Sequence, residues 1–422
     1  MSVRVVPVRL PHLHSVALVC ALRGGPRFEG PEEAGLTHFM EHMLFRGAGA
    51  HREPAELMAA FEDVGEDPEA HTGDDELVVS VLVSPEKVER AARLLASVLL
   101  RPAWRHLERE RRIVLEERAG LVDEDGAPLD LDDISRPLVF GDHPLGRSIV
   151  GDERDIERYR RADLERHRRR LVVNGNLVVA LAGPVRPGHV RAVRRAFASV
   201  PRGDAPRDTA LSLPASPRWA FAEVPSTPQC DLRLTFRGPG AEDRRLPALQ
   251  LLAQVLDGGP TARLPLRLVD AGFIYEARAG LVAFPGVSLL EIDLSVSASG
   301  LVDALERALA IVGGVRRDVS AREVARARAR ILRRRLLERD DARETAERHA
   351  RRALFGIAEP DLGVDRRAVL AVAREVLRPE RFSCILSGAP GRRVRKEVTA
   401  ALGRWAGAPM PRALTPRRLA RV

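Results

Sequence analysis

Lysine is nearly absent from this 422-residue chain: Lys87 and Lys396 stand alone, and arginine supplies the rest of the 68 basic side chains. Aromatic residues are only 4% and cysteines number three. Each scarcity excludes something. The net charge of +9 is spread among 59 acidic residues, and no basic stretch has the interleaved aromatics on which bases stack. Nucleic acid is therefore not an expected partner, and the arginines read as solvated helix faces. Cys20, Cys230 and Cys384 sit singly in apolar runs, which makes neither a disulfide framework nor a paired-cysteine metal knuckle. Buried free thiols in a reducing, cytoplasmic compartment are expected. No apolar run is long enough to span a bilayer, so no membrane partner is expected. Val16–Leu22 is too short for a signal core, follows His12 and His14, and runs into Arg23-Gly24-Gly25, so it reads as a strand. With few aromatics, the cores must be built from Leu, Val and Ala.

Short strand-like runs alternate with longer helical ones. Val16–Leu22, Glu76–Val83 and Asn176–Gly183 read as strands. Ser84-Pro85-Glu86 opens a helix carrying Val88, Ala91, Ala92, Leu95, Val98 and Leu99 at a period near 3.6. The Pro-, Gly- and Asp-rich stretch from Pro201 to Arg218 breaks the rhythm. Afterwards the pattern restarts: Cys230–Phe236 leads to Arg237-Gly238 as Val16–Leu22 leads to Arg23-Gly24. Leu289–Val296 and Phe382–Gly388 read as further strands, and Arg322–Leu337 and Ala342–Leu354 as Arg-rich amphipathic helices. The second half resembles a degenerate copy of the first. The expected fold class is α+β, with two pseudo-symmetric domains over residues 1–205 and 219–422 and a linker at 206–218.

The stretch from Gly35 to Phe45 carries the chemistry. His38 and His42 are one helical turn apart, so two imidazoles can face one ion, and Glu41 shares that side. A hydrolytic zinc needs a third protein ligand and an open position for water. Two histidines on an apolar helix could instead be core residues bonded to backbone carbonyls. A third ligand is available in the helical run Glu108–Glu117, where Glu110, Glu116 and Glu117 are candidates. Glu116 and Glu117 point about 100° apart on a helix, and geometry alone does not choose. The matching helix of the second half, Leu246–Leu256, carries leucines instead of histidines, so only the first half can bind metal there.

These residues resemble the pitrilysin-like M16 peptidases, which include the mitochondrial processing peptidase and smaller bacterial enzymes. The resemblance runs through His38-Phe-Met-Glu41-His42, Leu44 to Gly47, Ala70-His-Thr72, the run Glu110 to Glu117, and Asp142 to Gly146. It implies one Zn²⁺ per chain held by His38, His42 and Glu117, which lies 75 residues beyond His42, with Glu41 as general base and Glu124 supporting the site. It further implies substrate contacts from Glu69, Ala70 and Thr72, and an Arg267 and Tyr275 pair from the second half reaching the peptide. The family has Asn where this chain has Glu69, and a carboxylate cannot copy the donor role of an amide. The implied architecture is two half-units, each an antiparallel sheet covered by helices, assembled as a homodimer around a peptide substrate. The implied function is a zinc-dependent endopeptidase. The alternatives are a non-catalytic assembly subunit, or one chain of a heterodimer that processes precursor or leader peptides.

Overall fold

A computed structural model describes residues 3–123, 128–224 and 229–415. The chain divides into two compact units: Met1–Gly120, Arg147–Ala210 and Arg335–Ile357 form the first, and Leu121–Gly146, Leu211–Arg334 and Ala358–Val422 the second. Each unit thus includes a segment from the other half of the sequence. Residues 201–215, within the Pro- and Gly-rich stretch, have no regular structure.

The first unit contains strands β1 (Arg4–Arg9), β2 (Val16–Arg23), β3 (Glu69–Thr72), β4 (Glu76–Val83) and β5 (Leu177–Gly183). Its helices begin with α1 (Leu36–Leu44), α2 (Pro54–Glu62), α3 (Val88–Leu100) and α4 (Leu107–Gly120). After α5 (Leu131–Phe140), which belongs to the second unit, come α6 (Glu153–Arg158), α7 (Arg161–Leu171) and α8 (Pro187–Ala196). The second unit holds β6 (Arg218–Glu223), β7 (Gln229–Gly238), α9 (Leu246–Asp257), β8 (Glu276–Phe284), β9 (Val287–Ser297) and α10 (Leu301–Arg317). Next come α11 (Ala321–Leu337), mostly in that unit, and α12 (Ala342–Phe355), which returns to the first. The second unit is completed by α13 (Arg366–Val376), β10 (Phe382–Gly388) and α14 (Arg392–Ala406).

The sheet of the first unit runs β1-β5-β2-β4-β3, and that of the second β6-β10-β7-β9-β8. The two orders are the same once the strands are matched in sequence, and the α+β class with two similar halves holds. The purely antiparallel sheets expected from the resemblance are corrected to mixed ones. β1 pairs with β5, and β6 with β10, in parallel, while every other named pair is antiparallel. The partners in each parallel pair lie far apart in sequence, which gives the crossover length that a parallel pair needs.

Strand alternation sets which faces are covered. In the first sheet, Ala17, Val19, Ala21, Val78, Val178, Ala180 and Ala182 pack with Ala342, Ala346, Ala350 and Leu354 of α12. Four residues separate each of these α12 positions, so they form one stripe, and alanine on both sides lets helix and sheet approach closely. In the second sheet, Leu232, Leu234, Phe236, Ile292 and Leu294 belong to a core shared with α9, α10, α13 and α14. The opposite face is closed by α5, whose Ile134 and Leu138 pack on Ala220, Ala222 and Ile385. There Arg233 pairs with Asp132 and with Asp293, and Arg136 with Glu291.

Candidate metal centre

α1 starts where the chain needs a left-handed residue. Gly35 has φ 75°, and a Cβ there would stand 2.1 Å from the Val150 carbonyl oxygen, so only glycine fits. The first amides of a helix lack intrahelical partners. Buried Glu29 accepts two of them, from Gly35 at 2.9 Å and Thr37 at 2.7 Å. Burial raises the Glu29 carboxyl to about 7, against these hydrogen bonds. Thr37 Oγ1 accepts from the Gly25 amide and meets His167 Nε2 at 3.0 Å. One face of α1 is fully buried through Leu36, Phe39, Met40, Met43 and Leu44, which fixes the rotation of the helix and the direction of its histidines.

His38 and His42 meet edge to face, with ring centroids 4.7 Å apart. Glu117 reaches them from α4: its Oε2 is 3.4 Å from His42 Nε2 and 3.8 Å from His38 Nε2. One donor atom from each of the three lies within 4.8 Å of the others. These separations are too long for good hydrogen bonds. They are close to the ~3.3–3.6 Å expected between donors placed about 2.0–2.2 Å from a tetrahedral zinc. The ordinary core-histidine reading fails for His38, because its Nδ1 is buried without a hydrogen-bond partner. Burial, and then the charge of His42, lowers the His38 imidazole to about 4, so it is held in the neutral form that ligates metal. Two imidazoles and a carboxylate suit a zinc ion, so the residues present fit the group.

The neighbouring carboxylates divide clearly. Glu116 is exposed beside Glu117. Glu110, two turns before Glu117 on the same helix, is fully buried. It accepts from Arg46 at 2.9 Å, and Oε2 stands 3.9 Å from His42 Nδ1. Glu110 is thus behind a metal donor and outside the donor set. Arg46 follows His42 by four residues, just past the end of α1, and neither Glu29 nor His167 carries a local signal in the sequence.

Glu41 is half-buried and accepts a hydrogen bond from Thr72 Oγ1 at 2.7 Å. Thr72 and Ala70 lie on edge strand β3. Glu69 and His71 alternate to the opposite face, and Glu69 forms an ion pair with Arg343 of α12. The Glu69 carboxylate therefore points away from Glu41 and already has a partner. Arg267 and Tyr275 belong to the second unit. Arg267 is exposed on the single π turn Pro265–Val269, and Tyr275 is 67% exposed just before β8. Glu124 lies outside the described residues.

Comparisons with known proteins bear on the family and the fold. Residues 4–153 match the family described as Insulinase (Peptidase family M16), and residues 158–331 match the Peptidase M16 inactive domain. An uncharacterized zinc protease of Mycobacterium tuberculosis (strain ATCC 25618 / H37Rv) is 31% identical over 326 residues, covering 75% of this chain and 73% of the relative. One from Bacillus subtilis (strain 168) is 26% identical over 322 residues, covering 75% of this chain and 77% of the relative. Among solved structures, a protease from Helicobacter pylori superposes with TM-score 0.82 at 17% identity, over 92% of this chain and 98% of its own. A peptidase M16 inactive domain from Pseudomonas fluorescens gives 0.80 at 20% identity, over 92% and 96%. At these identities the two structures speak for the fold alone.

Proposed function

Because this chain belongs to the M16 peptidase family, we propose that it is a zinc-dependent endopeptidase acting on short or unstructured peptides. The observation that carries the proposal is the convergence of His38, His42 and Glu117 beside a Glu41 that is itself held by Thr72.

Zinc bound by His38, His42 and Glu117 would supply the Lewis acidity that polarises the scissile carbonyl and eases loss of a proton from water. Glu41 does the proton work. Its Oε2 is occupied by Thr72, which leaves Oε1 to take a proton from the attacking water and pass it to the departing amine nitrogen. The new C–O bond forms at the expense of the carbonyl π bond; the C–N bond then breaks as the carbonyl re-forms, and the proton delivered to nitrogen makes the amine a workable leaving group. Arg267 and Tyr275 complete the proposal as ligands of the peptide backbone. The exposure of Tyr275 leaves its hydroxyl accessible to a substrate. The proposed assembly is a homodimer, to be measured by sedimentation, with a heterodimer as the other outcome.

A second reading, a non-catalytic assembly subunit, draws on the description of the family that residues 158–331 match. In α9, however, the buried face is Leu249, Leu251, Leu252 and Val255, so this observation concerns a half whose matching helix carries no histidine. Cleavage of a mixed peptide library, abolished by chelator and restored by zinc, separates the two readings. Glu41→Gln should keep its zinc and lose about 1,000-fold in kcat. A wild type that binds zinc and cleaves nothing favours the assembly role.

A further inference from the structure

Helix α12 enters the first unit from late in the sequence and grips the β3–β4 hairpin at both ends. At one end Arg351 reaches Asp75 at 2.9 Å and Glu76 at 2.7 Å, just where β4 begins. At the other, Arg343 pairs with Glu69, the first residue of β3. Eight residues separate the two arginines, about 12 Å along a helix. Glu347, one turn beyond Arg343, lies within the electrostatic reach of His71 and Arg343.

The two grips differ in weight. The Asp75 side chain is 2% exposed and meets Arg27 as well, at 3.8 Å, so removing Arg351 takes the nearer cation from a buried carboxylate and threatens the fold. Glu69 is 61% exposed and Arg343 20%, so this pair is worth little to global stability. What it can govern is local. β3 has four residues, sits at the sheet edge and is laddered on one side only, which makes it a low-stability segment. Its other face carries the Thr72 hydroxyl that holds Glu41.

We propose that the Arg343–Glu69 ion pair is a latch on edge strand β3, and that through Thr72 it positions the Glu41 carboxylate for proton transfer. Arg343 is then a positioning residue. The Glu41 part of the proposal rests on the peptidase reading, and the strand part does not.

The test is a mutant cycle on the full chain: Arg343→Gln, Glu69→Gln, the double variant and Arg343→Lys. Amide hydrogen exchange is measured at residues 69–72, and kcat and KM on the peptide library. Each single variant should exchange three- to five-fold faster, the double no faster than either single, and Arg343→Lys close to wild type. kcat should fall in the same order with KM changed less than about two-fold. Unchanged exchange in both single variants, or fully additive effects, would overturn the latch. Faster exchange with unaltered kcat would confine it to the strand and remove the link to Glu41. If the wild type cleaves nothing, the peptidase reading fails, and exchange alone decides the latch.

Discussion

Thr72 Oγ1 stands 2.7 Å from Glu41 Oε2, a strand hydroxyl donating to a helix carboxylate. Thr72→Val keeps the shape and removes the donor. A hydrogen bond to a charged acceptor contributes about 1.5–3 kcal/mol, so kcat should fall by roughly ten-fold or more with zinc content unchanged. Steady-state kinetics beside elemental analysis check this. Loss of zinc together with activity would mean that Thr72 supports the metal site instead of the base.

Glu110 accepts from Arg46 and stands behind the Nδ1 side of His42. Glu110→Gln removes a buried charge and leaves Arg46 without its counterion. Arg46 is 31% exposed, so water compensates part of the loss, and a destabilisation of about 1–3 kcal/mol is expected. Zinc affinity should weaken about ten-fold through the loss of the carboxylate behind His42. Denaturant melts and competition with a chromogenic chelator read the two effects separately.

His167 is buried beneath the start of α1, with Thr37 at its Nε2 and Arg170 donating to Nδ1 at 3.0 Å. Burial, and then the charges of Arg170 and Arg166, lower it from 6.5 to about 3. A base whose folded pKa is depressed takes up its proton more readily when unfolded. Its contribution is therefore complete above pH 6.5 and is lost as pH falls towards 3. At about pH 5 the loss should be about 2 kcal/mol. His167→Gln, which cannot titrate, should flatten the fall between about pH 7 and 5 in urea melts. A variant that falls as steeply as the wild type would assign the acid sensitivity to other groups.

Much of the fold was legible because central strands and amphipathic helices announce themselves. Glu76–Val83 and Phe382–Gly388 are the strands expected, residue for residue. Strands without an apolar signal were not legible. β3 reads Glu-Ala-His-Thr, and its strand character comes from pairing with β4. Edge strand β8 is similar in its first half, which reads Glu-Ala-Arg-Ala-Gly. Nor does a helical period say where a helix docks. Ala342–Leu354 showed its apolar stripe, yet nothing local says that the stripe covers the sheet of the first unit. The direction of β1 against β5 is likewise a long-range matter.

At the site, one-turn spacing made His38 and His42 legible from local geometry, whereas Glu117 was chosen over Glu110 and Glu116 by resemblance. The rotation of α4 gives the physical reason: Glu117 presents Oε2 to both imidazoles, Glu110 turns to Arg46, and Glu116 faces water. The ion pair of Glu69 was not legible, because its partner, Arg343, lies 274 residues further on.

The account stands most directly on zinc counted per chain, by elemental analysis, in the wild type and in Glu117→Gln purified side by side. One zinc per wild-type chain, falling below about a tenth in the variant, is the expected result. A variant that keeps its full complement of metal, or a wild type that takes up none from a zinc-containing buffer, would contradict it.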